Sequence, residues 1–316
     1  MTFINSMNNI LQKLINILDI KYDRKFDEPI FILAPPRSGS TMLFEALCKF
    51  KQLRHVDYES DFIWWKCFPY EDMIHPCDYI NGELVNRENI ELLRNSTYNA
   101  LLTKYAGENY SWQKEPIRYL DKTIANCFHL NFLEKAFPTA QYIFLVRDPR
   151  ENISSMLEGW PYVDRFGKAQ LTPIVKSING ATVSHWTYPA PPFWQDVVTR
   201  PLPEICAWSW QQHIEHVVEF FKHRNKKPIL IRYENLLKEP LTIFTDLSKR
   251  LKLNMTLTEK DYVTNPALSS TTVSKPEADK WKRKYYKEIM SILPMIEDTA
   301  SKIDYDVTFE KNVYQL

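Results

Sequence analysis

The chain has 316 residues, of which 44% are hydrophobic, 25% charged and 14% aromatic, which excludes a disordered or fibrous protein and allows a large buried core. Forty Lys and Arg against 39 Asp and Glu leave a net charge of +1, so no bulk field draws nucleic acid and any basic site is local. The five Cys are scattered with no CxxC pair, and no apolar run approaches the roughly 18 residues of a membrane span. Reduced thiols, no metal and a soluble cytoplasmic protein are therefore expected. Six Gly against 20 Pro make each glycine worth locating.

Residues 1–25 carry Ile10, Leu11, Leu14, Ile17 and Leu18 at helical spacing. They predict an N-terminal helix packed on the domain; Lys13 alone is too little charge for a membrane surface. Residues 29–33 (PIFIL), 141–146 (QYIFLV) and 228–231 (PILI) are short, β-rich, continuously apolar runs, the pattern of strands covered on both faces. Each precedes a helical pattern, and a weaker strand is read at SWQKE near Trp112. Strands alternating with helices predict an α/β fold with a mainly parallel sheet flanked by helices. Longer helices are expected over 89–105 and 204–222; His213 and His216, three apart on the second, read as ordinary helix-face residues. Residues 160–203 combine many prolines with Trp160, Trp186 and Trp194. So many prolines forbid a long regular element and so many rings forbid disorder, so a substrate-pocket insertion or lid is expected.

Two motifs carry chemistry. Ala34-Pro35-Pro36-Arg37-Ser38-Gly39-Ser40-Thr41 follows a strand and opens a helix, where backbone N–H groups and the helix dipole make an anion site. Relative to the nucleoside-triphosphate loop, Ala34 replaces the first Gly and Ser40 the Lys, while Arg37 supplies a forked cation suited to phosphate or sulfate. The second motif is Arg147-Asp148-Pro149-Arg150-Glu151-Asn152-Ile153-Ser154-Ser155. Asp148, Pro149 and Glu151 form a helix-start pattern with a capping box, and Arg147 stands at the carboxyl end of a strand, where open α/β sheets bind ligands.

Together these motifs resemble the sulfotransferases that use 3′-phosphoadenosine 5′-phosphosulfate (PAPS). The resemblance implies one P-loop-like domain over 1–316, with a central parallel sheet and a nucleotide-closing loop at 264–282. It implies that Pro36, Arg37, Ser38, Gly39, Ser40 and Thr41 bind the 5′-phosphosulfate, and that Arg147 with Ser155, eight residues on, binds the 3′-phosphate. By the same resemblance, Lys122 of Asp121-Lys122-Thr123 lies by the transferred sulfuryl group, Tyr233 by the adenine, and Lys275 on a phosphate. The loop arginine resembles the bacterial and tyrosylprotein-like branch more than the cytosolic aryl and steroid enzymes, whose histidine position is Ile124 here.

In-line sulfuryl transfer needs positioning and charge, expected from Arg37 and Lys122, plus a base for the acceptor proton. In the tyrosylprotein enzymes the base is a Glu after the first helix, and Glu59 is the matching candidate; His55, Asp57, His185 and Glu115 remain open. Phe62, Trp64, Trp65, Trp112, Trp160 and Trp186 are the expected pocket walls, suited to a small-molecule acceptor such as a natural product, sulfated on a hydroxyl or an amine. A homodimer is left open. The rival readings are a P-loop nucleotide kinase and a non-catalytic nucleotide-binding protein of the same fold.

Overall fold

The structure, a computed structural model, describes residues 26–57, 59–68, 80, 82–107, 116–162, 173–178 and 181–307, with 173–178 and 181–185 as backbone alone. The helix expected over 1–25, the strand expected at SWQKE, and Trp112 and Glu115 lie outside them. Along the chain come β1 (Ile30–Leu33), α1 (Ser40–Leu47), α2 (Asp61–Cys67), α3 (Arg87–Lys104), β2 (Leu120–Asp121), a 3-10 turn (Ile124–Phe128) and α4 (Leu130–Ala136). Next are β3 (Gln141–Val146), α5 (Pro149–Gly159), the hairpin β4 (Pro173–Ile178) and β5 (Ala181–His185), α6 (Leu202–Lys222) and β6 (Ile229–Arg232). The chain continues through α7 (Tyr233–Lys238), α8 (Pro240–Arg250), α9 (Leu257–Thr264), α10 (Lys280–Lys284) and α11 (Tyr286–Ser301).

The main sheet is parallel, in the order β2-β1-β3-β6. Period-two alternation sends its apolar residues into two cores. Phe31, Leu33, Tyr142, Phe144 and Val146 face one side with α5, α6 and α11. Ile30, Ile32, Ile143, Leu145 and Ile231 face the other with α1 and α8. Both faces of β1 and β3 being covered is why those two read as unbroken apolar runs, whereas β6 is an edge strand whose Leu230 stays exposed. β6 starts after Pro228, which has no N–H for the ladder.

Register fixes where the site forms. Leu33 pairs with Phe144, and Val146 with Arg232, while Phe31 pairs with Asp121. The residues that leave these strands therefore emerge at one end of the sheet: Lys122, the loop from Ala34, Arg147 and Tyr233. This is the end at which open parallel sheets present ligand-binding loops.

The aromatic segment after α5 corrects an expectation. Trp160 and Trp186 have no exposed surface; their rings meet edge to face at 5.3 Å, and Trp186 lies 5.3 Å from Trp194. Thr187 Oγ1 donates to the Trp160 carbonyl at 2.6 Å, and Tyr188 OH to the Met156 carbonyl at 2.9 Å. These rings are core, because large apolar surfaces gain most by leaving water entirely. Trp64, also expected in the pocket, is 4% exposed and packs on His129 at 4.1 Å and Phe132 at 5.5 Å. His213 and His216 lie in α6 with their rings against Phe128, and His213 is fully buried.

Trp160→Ala should thus act on the fold. The expected cost is about 3–5 kcal/mol, as for other Trp-to-Ala changes in cores, seen as a fall in Tm of order 10 °C. An unchanged Tm in a thermal melt would show that the ring is not core.

Candidate active site

The loop between β1 and α1 is held from behind. Asn152 Nδ2 donates to the Pro36 carbonyl at 2.6 Å, and Arg147 Nη1 to the Arg37 carbonyl at 3.2 Å. Across a trans peptide the next N–H points the opposite way. The amide of Arg37 is thereby turned away from Asn152, and that of Ser38 away from Arg147. Arg37 and Gly39 both hold positive φ, 66° and 95°. At Gly39 this is combined with a close approach: a Cβ there would lie 2.5 Å from Tyr233 Cδ2 and closer still to Cε2, so only glycine fits. Ser38 is fully buried and its hydroxyl has no partner within the protein, which fits a loop built around an oxyanion.

A cavity of about 770 Å³ opens beyond this loop. Pro36, Arg37, Gly39, Ser40 and Thr41 line it from one strand end. Arg147, Ser155, Tyr233 and Lys275 line it from three other elements. Ser38 sits behind the wall. The Arg147 guanidinium lies 4.8 Å over the Tyr233 ring and 3.6 Å from Glu151. Asp148 caps α5, accepting from Arg150 N at 2.9 Å, with Pro149 in the first turn. Glu151 reaches Arg147 rather than completing the expected capping box. Burial pushes the Glu151 carboxyl up, against the pull of Arg147.

Lys122 Nζ donates to Glu59 Oε1 at 2.6 Å, and the Ile124 amide donates to Glu59 Oε2 at 3.3 Å. Lys122 and Glu59 both line the cavity. Next to them runs a buried polar network that the sequence did not disclose. Asp121 Oδ2 accepts from Asn126 Nδ2 at 2.6 Å and Ser60 Oγ at 3.0 Å, and Oδ1 accepts from Thr123 Oγ1 at 3.2 Å. Ser60 N donates to Thr123 Oγ1 at 2.7 Å. Burial pushes the Asp121 carboxyl up, and its donors oppose the push.

The other base candidates separate. His55 does not line the cavity: Nδ1 faces the Val56 carbonyl at 2.9 Å and Lys104 Nζ at 3.0 Å, and burial pushes its pKa down. Asp57 is on the cavity rim, bonded to Lys104 at 2.8 Å. The side chain of His185 lies outside the described residues. Of the expected walls, Phe62 and Trp65 line the cavity, and Trp64, Trp160 and Trp186 do not.

The C-terminal segment closes over the opening through three polar straps. Arg37 Nη1 donates to the Thr271 carbonyl at 2.9 Å, and Ser270 Oγ to Glu45 Oε1 at 2.7 Å. Glu158 collects Ser274 Oγ at 2.7 Å, Lys280 Nζ at 2.8 Å and Lys284 Nζ at 2.7 Å. Among the described residues no group of His, Cys, Asp and Glu is arranged to hold a metal ion, and no helix is long and apolar enough to cross a membrane.

Residues 29–257 match the family model described as the Sulfotransferase family, and the chain belongs to that family. Its fold is similar to the sulfotransferase domain from the curacin biosynthetic pathway, with 18% identity, TM-score 0.50, and coverage of 90% of this chain and 100% of that one. It is also similar to sulfotransferase STF9 from Mycobacterium avium, with 12% identity, TM-score 0.50, and coverage of 93% and 81%. At these identities the likeness is one of fold. No curated protein matches the sequence.

The Glu158 cluster has a pH signature. Burial alone would push this carboxyl up; the hydrogen bonds of Lys280, Lys284 and Ser274 outweigh it and hold the pKa at about 2, below the ordinary 4.5. A folded-state pKa below the unfolded one stabilises above the unfolded value and fades as pH falls toward the folded one. The Tm gap between wild type and Glu158→Gln should be full at about pH 6 and shrink steadily between about pH 4.5 and 2. A gap that does not change with pH in a series of melts would contradict this.

Proposed function

We propose that the protein transfers the sulfuryl group of PAPS to a hydroxyl or amine of a small-molecule acceptor. The observation that carries this is the interlock of Arg147 with the loop: Arg147 Nη1 holds the Arg37 carbonyl at 3.2 Å, and both residues line one cavity with Lys122. Two cationic elements facing one cavity suit a nucleotide with phosphates at both ends of the ribose. The amides of the loop and the hydroxyls of Ser40 and Thr41 fit its 5′ end. Ser155 and Lys275 join Arg147 at the 3′ end, and Tyr233 offers its ring to the base. Ser40, standing where a kinase carries lysine, leaves the triphosphate reading without its key charge.

Bound there, the nucleotide supplies the sulfuryl group, with its 5′-phosphate as leaving group. Arg37 and the amides of residues 38–41 take up the charge that develops on the leaving oxygens. Lys122, buried to 4% exposure and shared with Glu59, supplies a second positive charge within the cavity. Glu59 accepts the acceptor's proton as the acceptor oxygen or nitrogen bonds to sulfur. Phe62 and Trp65 line the same cavity as this carboxylate and give the acceptor an aromatic berth. A natural-product acceptor suits these walls. The free thiols of Cys48, Cys67, Cys127 and Cys206 fit a reducing compartment, and cytoplasmic residence is part of this proposal.

Calorimetric titration with 3′-phosphoadenosine 5′-phosphate (PAP), beside ATP with magnesium, tests the reading. PAP should bind the more tightly, and Arg147→Ala should weaken it about 100-fold, equivalent to about 2.7 kcal/mol. Tighter ATP binding, or PAP affinity indifferent to Arg147, would overturn it. With labelled PAPS and a panel of phenols, alcohols and amines, Glu59→Gln should slow transfer about 10²–10⁴-fold while PAP affinity is kept.

A further inference from the structure

We propose that Asp121 is the positioning residue of the site: through Ser60, Thr123 and Asn126 it fixes Glu59 and Lys122 against each other. The proposal rests on the roles given above to Glu59 and Lys122. Glu59 lies in a segment without a β-ladder, one residue before Ser60 and two before α2. Lys122 is one residue beyond β2, an edge strand of two residues. Neither backbone is held firmly by secondary structure. Each residue of the pair is, however, the chain neighbour of a network member. Ser60 follows Glu59, and Asp121 and Thr123 flank Lys122.

The network binds the two segments directly. Ser60 N and Oγ meet Thr123 Oγ1 at 2.7 and 2.9 Å, and Ser60 Oγ donates to Asp121 at 3.0 Å. Asn126, in the 3-10 turn, donates to the same carboxylate at 2.6 Å, so the turn that carries the Ile124 amide is tied in as well. Ser60, Asp121, Thr123 and Asn126 are at most 3% exposed. Buried donors that lose their acceptor cannot turn to water, so the carboxylate is the hub on which the arrangement depends. Asp121 does not line the cavity, so it acts on the reaction through Glu59 and Lys122 alone.

Wild type is compared with Asp121→Ala and with the exchange Asp121→Asn plus Asn126→Asp. In the exchange, the amide at 121 donates to the carboxylate at 126 and to Ser60. Ser60 turns its hydroxyl to Thr123, and Thr123 donates to the amide oxygen, so every donor keeps an acceptor. The probe is PAPS in water, read as released sulfate. Asp121→Ala should lower kcat about 30-fold, the scale of a misplaced catalytic group, with the KM for PAPS and the Kd for PAP within about twofold. The exchange should recover all but about threefold of the rate. A loss of PAP affinity in step with the rate, or an exchange variant that folds and binds PAP but stays as slow as Asp121→Ala, overturns the proposal. A crystal structure of Asp121→Ala decides independently of turnover: a separated Glu59–Lys122 pair supports the proposal, and one retained at 2.6 Å overturns it. A wild-type chain that binds no PAP would instead sink the proposed function, and the crystal structure would still decide the positioning.

Discussion

The ring of Tyr233 lies so close over Gly39 that nothing larger than a hydrogen fits between backbone and ring. That contact joins the loop after β1 to the residue after β6, two strands away in the sheet. It excludes any side chain at Gly39, whose left-handed backbone leads into α1 at Ser40. The Arg147 guanidinium lies 4.8 Å over the same ring, and Arg147 holds the loop carbonyl. Gly39, Tyr233 and Arg147 thus form one packed unit, and the parallel register of β1, β3 and β6 brings the three together.

The chemistry of the cavity is held by a different kind of support. At the loop after β1 the groups are set by backbone and by the Tyr233 ring. On the side of Glu59 and Lys122 they are set by a buried polar circuit around Asp121. A circuit of this kind specifies geometry sharply because every member has a required partner. Rigid packing supports the loop after β1, and directional hydrogen bonds support the Lys122–Glu59 pair.

Much of this was legible in the sequence, for identifiable reasons. The runs at 141–146 and near 30 announced strands because sheets covered on both faces leave no polar alternation, and the run near 230 did so although Leu230 on the edge strand is exposed. The loop was legible because a rare glycine, an arginine and three hydroxyls fell in one turn. β2 was not: two residues with a Lys and a Thr after them carry no strand period, and only pairing with β1 makes them one. Nor was the role of the tryptophans. Ring type gives the size of the surface to be buried and not the direction it faces, so Trp65 reached the cavity while its neighbour Trp64 turned into the core. The Asp121 network escaped because Ser60 and Asn126 are ordinary polar residues until the chain brings them to one carboxylate.

Three cations of the cavity already have carboxylate partners: Arg147 with Glu151, Lys122 with Glu59, and Lys280 with Glu158. The cavity is therefore far closer to electroneutral than its arginine and lysine content suggests, in a protein whose net charge is only +1. A polyanion approaching it meets little long-range attraction, and its association rate should vary weakly with ionic strength. Recognition is deferred to contact, and a mere excess of negative charge gains no entry.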